Sequence, residues 1–351
     1  NLEDEERMMN KEELDEMVEI ALKGGFGRYE NQSDLLKDLD VVARDLLEKD
    51  TSATAPMRLL SFLLQWSHEG REIFRAVESN PLTLKVGLLD PSKMSKDVFD
   101  RVSGAVLMSG TLHPGEMYAD LLGIQDPIIK TYDSPFPESN RKIVTVDHLT
   151  TSYKKRDLQM YQAYANSIAE VSNQTPGNLA VFFPSYSLME SIADRLSMVH
   201  LEKDLIIEER SYRKWEKEEL VDSLKRSDDK VLLGVQGGSL SEGVDYKNNI
   251  LSSVIIVGIP FPPPSLELEA LRGYYTEKFG KKKGYEYTSV YPALNRVMQA
   301  AGRSIRSKED RALIVLMDKR FNYGRYKAMF PESFSYERST DLSKACRDFF
   351  G

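Results

Sequence analysis

The sequence predicts an α/β protein in which a doubly wound parallel sheet follows a helical segment. Over the first 70 residues, apolar side chains recur at the spacing of one helix face. From about residue 82 the pattern changes to short apolar runs, typical of buried parallel strands, with helical patterns between them. The chain of 351 residues is long enough for two domains, and no apolar run is long enough to cross a bilayer.

Three helices are predicted in the first segment. Apolar positions from Leu14 to Leu22 share one helix face, and Gly24-Gly25 is expected to end this helix. A second stripe runs from Leu35 to Leu47, with Ser33 as its expected N-cap. The third helix, from about Pro56 to Trp66, is apolar on most sides and is therefore expected to be buried. Together they predict a small helical bundle or subdomain.

Apolar runs in the rest of the chain predict the strands of the sheet. These runs are Ala105–Met108, Leu179–Phe183, Val231–Val235, Val254–Val257 and Leu313–Leu316. Helical patterns between them cover Leu158 to Val171, Leu188 to Val199 and Leu220 to Leu224. Because ligands bind at the carboxyl ends of strands in such sheets, the loops after these runs are the candidate sites.

Two of these loops combine hydroxyl groups with the start of a helix. Ser109-Gly110-Thr111-Leu112 would let amides and hydroxyls approach an oxyanion or a partner loop, although Thr111 could equally cap the next helix. Ser185 could be an ordinary N-cap, or the helix start it caps could bind a phosphate. Tyr186 could stack on a nucleic-acid base or simply pack.

The loop Gln236–Tyr246 is unusually polar for a connection beside a buried strand. It holds three glycines, two serines and the acids Glu242 and Asp245. Glycines allow close backbone approach to a ligand, and the acids could orient a sugar hydroxyl or a basic side chain. A functional loop is favoured over a structural turn.

The fourth loop, Gln299–Arg306, contains two arginines three residues apart. On a continuous helix both guanidinium groups would lie on one side, and Gln299 would lie one turn before Arg303 on the same face. Two such groups suit a polyphosphate. The alternative is a solvated helix face with salt bridges to Glu309 and Asp310.

In their order and spacing these loops resemble the second motor domain of superfamily 2 helicases of the XPD/DinG branch, the archaeal XPD form above all. The resemblance covers about residues 80 to 330. The matching stretches are Ser109–Leu112 (motif III), Ser134–Pro137 with Asn140-Arg141 (entry to the second motor domain), Phe182–Tyr186 (motif IV), Gly237–Asp245 (motif V), Pro260–Pro264 (proline-rich loop) and Gln299–Arg306 (motif VI).

The resemblance implies a RecA-like fold and a set of nucleotide-side roles. Arg303 and Arg306 would reach the phosphates of ATP, with Arg303 as the arginine finger, and Gln299 would sense the nucleotide. Residues placed on the cofactor side with them are Gly302, Glu242 and Asp245, the last two also coupling the nucleotide cleft to the DNA track.

The family likewise implies a track for single-stranded DNA. Ser185, Tyr186 and the backbone around Gly238 and Ser239 would touch its phosphates. Thr111 is grouped with this track and would link the state of ATP to closure of the two motor domains. The family consumes ATP with magnesium and moves 5′ to 3′ along single-stranded DNA, with roles in repair such as nucleotide excision repair.

Several parts of a complete helicase are missing from this sequence. It has no Gly-x-x-x-x-Gly-Lys-Ser/Thr phosphate loop, no Asp-Glu-Ala-His motif, and one cysteine where the family's 4Fe–4S cluster needs four. The chain is therefore expected to be the C-terminal portion of such a helicase, inactive without its N-terminal half. Residues 1–80 would be the tail of an arch-like insertion, residues 81–130 the last part of the first motor domain with its connector, and residues 131–351 the second motor domain.

Two other classes of function remain open from the residues alone. A non-catalytic nucleic-acid-binding or protein-interaction module could keep this fold without an ATPase, and an RNA motor would need contacts to ribose 2′-hydroxyls. Charge does not decide: of 55 acidic and 47 basic residues, 16 and 7 lie in residues 1–50, and the remainder is nearly balanced. The four histidines lack metal-ligand spacing, so no protein metal site is predicted.

The single cysteine, Cys346, cannot form an intrachain disulfide. This favours a reducing compartment, cytoplasmic for an archaeal-like protein or nuclear for a eukaryotic one. Expected partners are single-stranded DNA, the N-terminal half of the same helicase and repair-complex proteins, without a membrane.

Overall fold

The computed structural model describes residues 6–26, 29, 31–49, 55–79, 81–242, 244, 246 and 249–351, with the backbone alone for Gly25, Phe26 and Glu242. The chain divides into two compact units that interleave along the sequence. The first unit comprises Asn1–Gly104, Asp120–Ile124 and Pro263–Thr288. The second comprises Ala105–Ala119, Gln125–Pro262 and Ser289–Gly351.

The described helices and strands, in chain order, have the following bounds. The helices are α1 (Lys11–Ala21), α2 (Gln32–Glu48), α3 (Ala55–Ser67), α4 (Ser92–Phe99), α5 (Gly115–Leu122), α6 (Leu158–Gln174), α7 (Tyr186–Leu196), α8 (Lys214–Lys225), α9 (Ser239–Glu242), α10 (Leu266–Phe279), α11 (Lys281–Tyr285), α12 (Tyr291–Ala301), α13 (Gly324–Lys327) and α14 (Leu342–Phe350). The strands are β1 (Glu6–Met8), β2 (Ile73–Ser79), β3 (Leu82–Leu88), β4 (Arg141–Thr145), β5 (Asn178–Phe183), β6 (Asp204–Ile207), β7 (Lys230–Val235), β8 (Leu251–Val257), β9 (Ala312–Met317) and β10 (Glu337–Arg338). None of the described helices is long and apolar enough to span a bilayer.

The three helices predicted in the first unit are confirmed, with two corrections at their ends. Gly24 does not stop the first helix, because the chain continues through it as a π turn, Leu22–Phe26. Ser33 is not the N-cap of α2. Asn31 takes that position, and its side chain accepts a hydrogen bond from the backbone N–H of Asp34.

The first unit also contains a small antiparallel sheet that was not predicted from the sequence. Among the described residues it has the strand order β1-β2-β3. Arg75, in the middle of β2, is buried and so conceals the strand pattern. Its guanidinium donates through Nε and Nη2 to the carbonyl of Trp66 at 2.9 and 2.7 Å and lies 5.9 Å from that indole ring.

The helix α3 is only partly buried, contrary to expectation. Leu63 and Trp66 pack in a core with side chains of the sheet, whereas Leu59 and Leu64 are 45% and 54% exposed. One side of this helix therefore packs and the other faces solvent. The segment Pro263–Thr288 belongs to the same unit, since α10 packs against Phe74 of β2.

The second unit is built on a parallel sheet, as predicted. In the part of the chain that the structure describes, its strands have the order β10-β4-β9-β8-β5-β7-β6, and every pair of neighbours is parallel. Successive residues of β5 alternate between two cores: Leu179, Val181 and Phe183 pack with α6, α7 and α14, while Ala180 and Phe182 pack with α8 and α12. Helices thus cover both faces, which confirms the doubly wound α/β class.

Four of the five predicted strands are confirmed as β5, β7, β8 and β9. The fifth prediction, a strand at Ala105–Met108, is wrong. In the described structure this run forms no strand, and Val106 and Met108 are 83% and 84% exposed. A strand needs a neighbour for its backbone hydrogen bonds, and no described strand lies beside this one. The analysis also missed β4 and the short β6 and β10 near the sheet edges.

Candidate functional site

The carboxyl ends of the parallel strands carry most of the residues predicted as functional. Because neighbouring strands of the second unit run in the same direction, the loops after them emerge along one edge of the sheet. Ser185 follows β5, Gly238 and Ser239 follow β7, and these two strands are neighbours in the sheet. The fold therefore collects the predicted DNA contacts from distant points of the sequence.

Ser185 is the N-cap of α7. Its hydroxyl accepts a hydrogen bond from the backbone N–H of Leu188 at 3.3 Å, which is the ordinary capping role. Tyr186 is half-buried, and the guanidinium of Arg210 lies 5.0 Å from the centre of its ring. Burial, and after it the carboxylate of Glu208, raises the pKa of the Tyr186 hydroxyl. The phenol is therefore neutral at physiological pH.

The loop after β7 is organised around a buried carboxylate, Glu208, which the sequence analysis missed. Its Oε2 accepts from the N–H of Val235 at 2.7 Å. Its Oε1 accepts from the hydroxyl of Ser239 at 2.9 Å and from the N–H of Leu240 at 3.2 Å. Glu208 is only 3% exposed, so these bonds are shielded from water.

Gly238 has no room for a side chain. A Cβ at this position would lie 2.8 Å from the carbonyl oxygen of Val235 and 3.0 Å from a Glu208 oxygen. The N–H of Gly238 donates to that same carbonyl. The glycine is thus required by a close approach within the loop itself.

Of the acids predicted in this loop, the Glu242 side chain and all of Asp245 lie outside the described residues. The residues on either side of Asp245 are described. The hydroxyl of Tyr246 donates to the carbonyl of Leu240 at 3.1 Å, and the carbonyl of Val244 accepts from Arg303 Nη1 at 3.0 Å. The loop after β7 is therefore joined directly to the loop that carries the predicted arginine finger.

The geometry predicted for the two arginines is wrong, because α12 ends at Ala301. Gly302 is its C-cap, and Arg303 and Arg306 lie in the turns beyond it, so helical spacing does not align them. Asp310, which is 1% exposed, accepts from the backbone N–H groups of Arg306 and Ser307 at 2.7 and 2.6 Å. A buried carboxylate bonded to backbone N–H groups therefore holds this loop.

The remaining predicted residues meet at α12. Gln299, within this helix, donates from Nε2 to the Thr111 hydroxyl at 3.3 Å. Two residues after Thr111, the His113 ring nitrogen Nε2 lies 3.1 Å from the carbonyl oxygen of Met329. The structure thus brings together Thr111, Gln299, Arg303 and the loop after β7, and places Ser185 and Tyr186 after β5.

A second buried carboxylate at the same edge, Asp318, was also missed. It follows β9, is fully buried and accepts from the N–H and the hydroxyl of Thr151 at 2.8 and 3.1 Å. Arg320 binds it through Nε at 2.9 Å and Nη2 at 2.7 Å, with its guanidinium 5.8 Å from the ring of Phe261. Examining the two residues after every predicted strand would have found Asp318, because the predicted run ends at Leu316.

The side chains present fit a polyphosphate better than a metal or a cluster. Arg306 is exposed and Arg303 half-buried, and guanidinium groups suit phosphate oxygens. Among the residues that the structure describes, no group of three or more His, Cys, Asp or Glu could hold a metal ion. Cys346, the single cysteine of the sequence, is buried and cannot alone ligate an iron–sulfur cluster.

Residues 168–337 match the family of helicase C-terminal domains. The matched range includes the loops after β5 and β7, the end of α12 and the arginines beyond it. Over this range the chain is a helicase C-terminal domain of the XPD-like kind. The resemblance predicted from the motifs is thereby confirmed.

Relatives of this helicase domain are similar over most of the present chain. The ATP-dependent DNA helicase XPD of Sulfolobus acidocaldarius is 32% identical over 257 residues, which cover 70% of this chain and 43% of that protein. The general transcription and DNA repair factor IIH helicase subunit XPD/RAD3 of Saccharomyces cerevisiae is 28% identical over 280 residues, 73% of this chain and 35% of that protein. The chain therefore spans less than half the length of these relatives.

Solved structures agree with the fold of the helicase domain. One XPD helicase structure superposes with a TM-score of 0.63 at 22% identity, covering 95% of this chain and 65% of that chain. An XPD structure in its apo form gives a TM-score of 0.61 at 25% identity, covering 87% of this chain and 61% of that chain.

Proposed function

We propose that this chain supplies the second motor domain of an ATP-dependent DNA helicase that moves 5′ to 3′ along single-stranded DNA. Similar proteins bear the names of ATP-dependent DNA helicases, and one is named as a DNA repair factor subunit. In this proposal ATP and Mg²⁺ bind jointly with a first motor domain supplied outside this chain, because the sequence has no phosphate loop. The pathway served would be DNA repair, such as nucleotide excision repair.

The hydrogen bond from Arg303 to the carbonyl of Val244 is the observation that carries this proposal. Arg303 is the proposed arginine finger, and the loop that contains Val244 begins at the proposed DNA contacts Gly238 and Ser239. A change at the ATP phosphates that moves Arg303 would therefore also move the loop after β7, which carries the proposed DNA contacts. Gln299 extends the same connection to Thr111.

The other proposed roles rest on the resemblance to the helicase family. Arg306 joins Arg303 at the phosphates, with Gly302 letting the chain leave α12. Glu242 and Asp245 would couple the nucleotide to the DNA from the loop after β7. Residues 1–80 and 81–130 would be, respectively, the tail of an arch-like insertion and the end of the first motor domain, with residues 131–351 as the second motor domain.

Binding of fluorescent single-stranded DNA, followed by anisotropy in low salt, tests the proposal. Wild-type protein should bind, and Tyr186→Ala should weaken binding by about 5- to 150-fold, the range for one lost base-stacking contact. Arg306→Ala, at an exposed position on the nucleotide side, is the matched control and should leave DNA binding unchanged. Circular dichroism spectra would confirm that both variants are folded.

Two results would contradict the proposal. A folded wild-type chain that does not bind single-stranded DNA even at low salt lacks the track. Robust magnesium-dependent ATP hydrolysis by the chain alone would show that the phosphates are not shared with a first motor domain.

A further inference from the structure

Two charged residues follow the edge strand β6, and neither is among the DNA contacts assigned so far. Glu208 is buried, with 3% exposure, whereas the side chain of Arg210 is 69% exposed. Two residues apart in sequence, they reach two different loops. Glu208 binds the loop after β7, and Arg210 lies over Tyr186, which begins the helix after β5.

Glu208 uses donors that a bound phosphate would otherwise take. Its carboxylate already accepts from the Ser239 hydroxyl and from the N–H groups of Leu240 and Val235. A buried carboxylate bonded in this way cannot be displaced without leaving a buried charge unpaired. The Ser239 hydroxyl is therefore committed within the protein, so any side-chain contact to a phosphate at this point of the edge comes from another residue.

Arg210 is suited to that contact. Its guanidinium lies 5.0 Å from the centre of the Tyr186 ring, within cation–π distance, and the side chain is 69% exposed, so its N–H groups are accessible to a ligand. Its Nη2 lies 3.8 Å from Oε1 of Glu190, and both side chains are well exposed. Exposed pairs at this distance are weak, so a DNA phosphate can compete for the arginine.

We propose that Arg210 binds a phosphate of single-stranded DNA and that Glu208 is the positioning residue that fixes the loop carrying it. The loop after β6 then completes a continuous track with the loops after β5 and β7, which are neighbours in the sheet order β5-β7-β6. A strand of nucleic acid would place a base on Tyr186 and the adjoining phosphate on Arg210. This inference rests on the proposed function and adds a residue to its DNA track.

The salt dependence of DNA binding tests the role of Arg210. Each phosphate contact to single-stranded DNA contributes about 0.7 to the slope of log K against log salt concentration. Arg210→Ala should therefore reduce the slope by about 0.7, and Arg210→Lys, which keeps the charge, should retain it. Arg226→Ala is the matched control: this exposed arginine caps the end of α8, ahead of the amino end of β7. It should leave the slope unchanged.

A double-mutant cycle tests the positioning role of Glu208. Glu208→Gln keeps the shape of the side chain, but an amide NH2 replaces one carboxylate oxygen. This NH2 then faces an N–H or hydroxyl donor from which the wild-type carboxylate accepts a hydrogen bond. The substitution should weaken DNA binding severalfold in the wild-type background and by a clearly smaller factor once Arg210 is alanine, because only its hold on the loop after β7 then counts. Equal effects in both backgrounds would mean that Glu208 only supports the fold, and would overturn its positioning role.

The outcomes separate this inference from the function on which it rests. If the wild-type chain binds DNA and Arg210→Ala keeps the wild-type slope, Arg210 makes no phosphate contact and the inference fails alone. If the wild-type chain binds no single-stranded DNA, the proposed function fails and the inference fails with it.

Discussion

The side-chain amide of Gln299 donates a hydrogen bond to the hydroxyl of Thr111 across 188 positions of sequence, with 3.3 Å between the two heavy atoms. Both side chains are half-buried. Four residues beyond Gln299, Arg303 donates to the carbonyl of Val244. The end of α12 is thus fastened to two separate loops. A helix held in this way can transmit a displacement at one loop to the other, provided that the bonds are maintained.

Removing the amide of Gln299 should loosen the loop at Thr111. A neutral hydrogen bond of this kind contributes about 0.5 to 1.5 kcal/mol. In Gln299→Ala, amide hydrogen exchange in residues 109–113 should accelerate, while exchange in the central strand β5 stays unchanged. Thr111→Val, which removes the same acceptor from the other side, is the partner variant. Combining the two should add little to either one, and full additivity would show that the bond does not join these residues.

Asp318 should contribute strongly to the stability of the fold, although nothing in the sequence around it indicates this. It is fully buried and pairs with Arg320, whose side chain is 18% exposed. Asp318→Ala leaves this arginine buried without its carboxylate, which typically costs about 3 to 5 kcal/mol. Urea unfolding followed by circular dichroism would measure the loss. Asp204→Ala is the control and should cost much less, because the Asp204 carboxylate is 75% exposed and Lys230 keeps its pair with Asp229.

Much of the parallel sheet is predictable from sequence, because fully buried strands appear in the sequence as continuous runs of apolar residues. Strands β5, β7, β8 and β9 lie inside the sheet and are covered on both faces, so they read as continuous apolar segments. Once they are placed, the direction of a parallel sheet decides which loops share an edge. The loops after β5 and β7 follow from that rule alone.

What failed depends on partners that local sequence does not display. Ala105–Met108 has the composition of a strand, but a strand exists only beside another one. Glu208 stands next to Glu209 and is indistinguishable from a solvated acid until the loop after β7 is folded around it. The chain after α12 is likewise held by the carboxylate of Asp310, which accepts from the N–H groups of Arg306 and Ser307.

Gly238 should not tolerate alanine. The added Cβ would lie 2.8 Å from a carbonyl oxygen and 3.0 Å from Glu208, so the loop after β7 must shift. Crowding of this kind typically costs about 1 to 3 kcal/mol, and the shift should also weaken binding of single-stranded DNA. Gly273→Ala gives the control, since this glycine lies inside α10 with open space around it. There alanine should stabilise the helix by up to about 1 kcal/mol. The same substitution is therefore expected to lower the free energy of unfolding at Gly238 and to raise it at Gly273.

Acid should destabilise the first unit through Asp90. Burial opposes ionisation of this carboxylate, but hydrogen bonds from Lys278, Ser92 and Tyr274 outweigh it and lower its pKa from 3.8 to about 2. Lys278 Nζ lies 2.7 and 2.8 Å from the two carboxylate oxygens. Because the folded-state pKa is the lower one, the stabilisation is complete above 3.8 and is lost as the pH falls toward 2.

The fluorescence of Trp66 can follow this loss in a Trp215→Phe background, since these are the two tryptophans of the sequence and Trp66 belongs to the first unit. The urea midpoint should fall between pH 3.8 and about 2, the range set by the two pKa values of Asp90. Asp90→Asn should lower the midpoint at neutral pH and flatten this part of the profile. Asp97→Asn, at an exposed position of the neighbouring helix α4, should keep the wild-type profile. If the urea midpoint of Asp90→Asn depends on pH as in the wild type, the acid sensitivity belongs to other carboxylates. The proposed loss of stability requires Asp90 itself to have different pKa values in the folded and unfolded states.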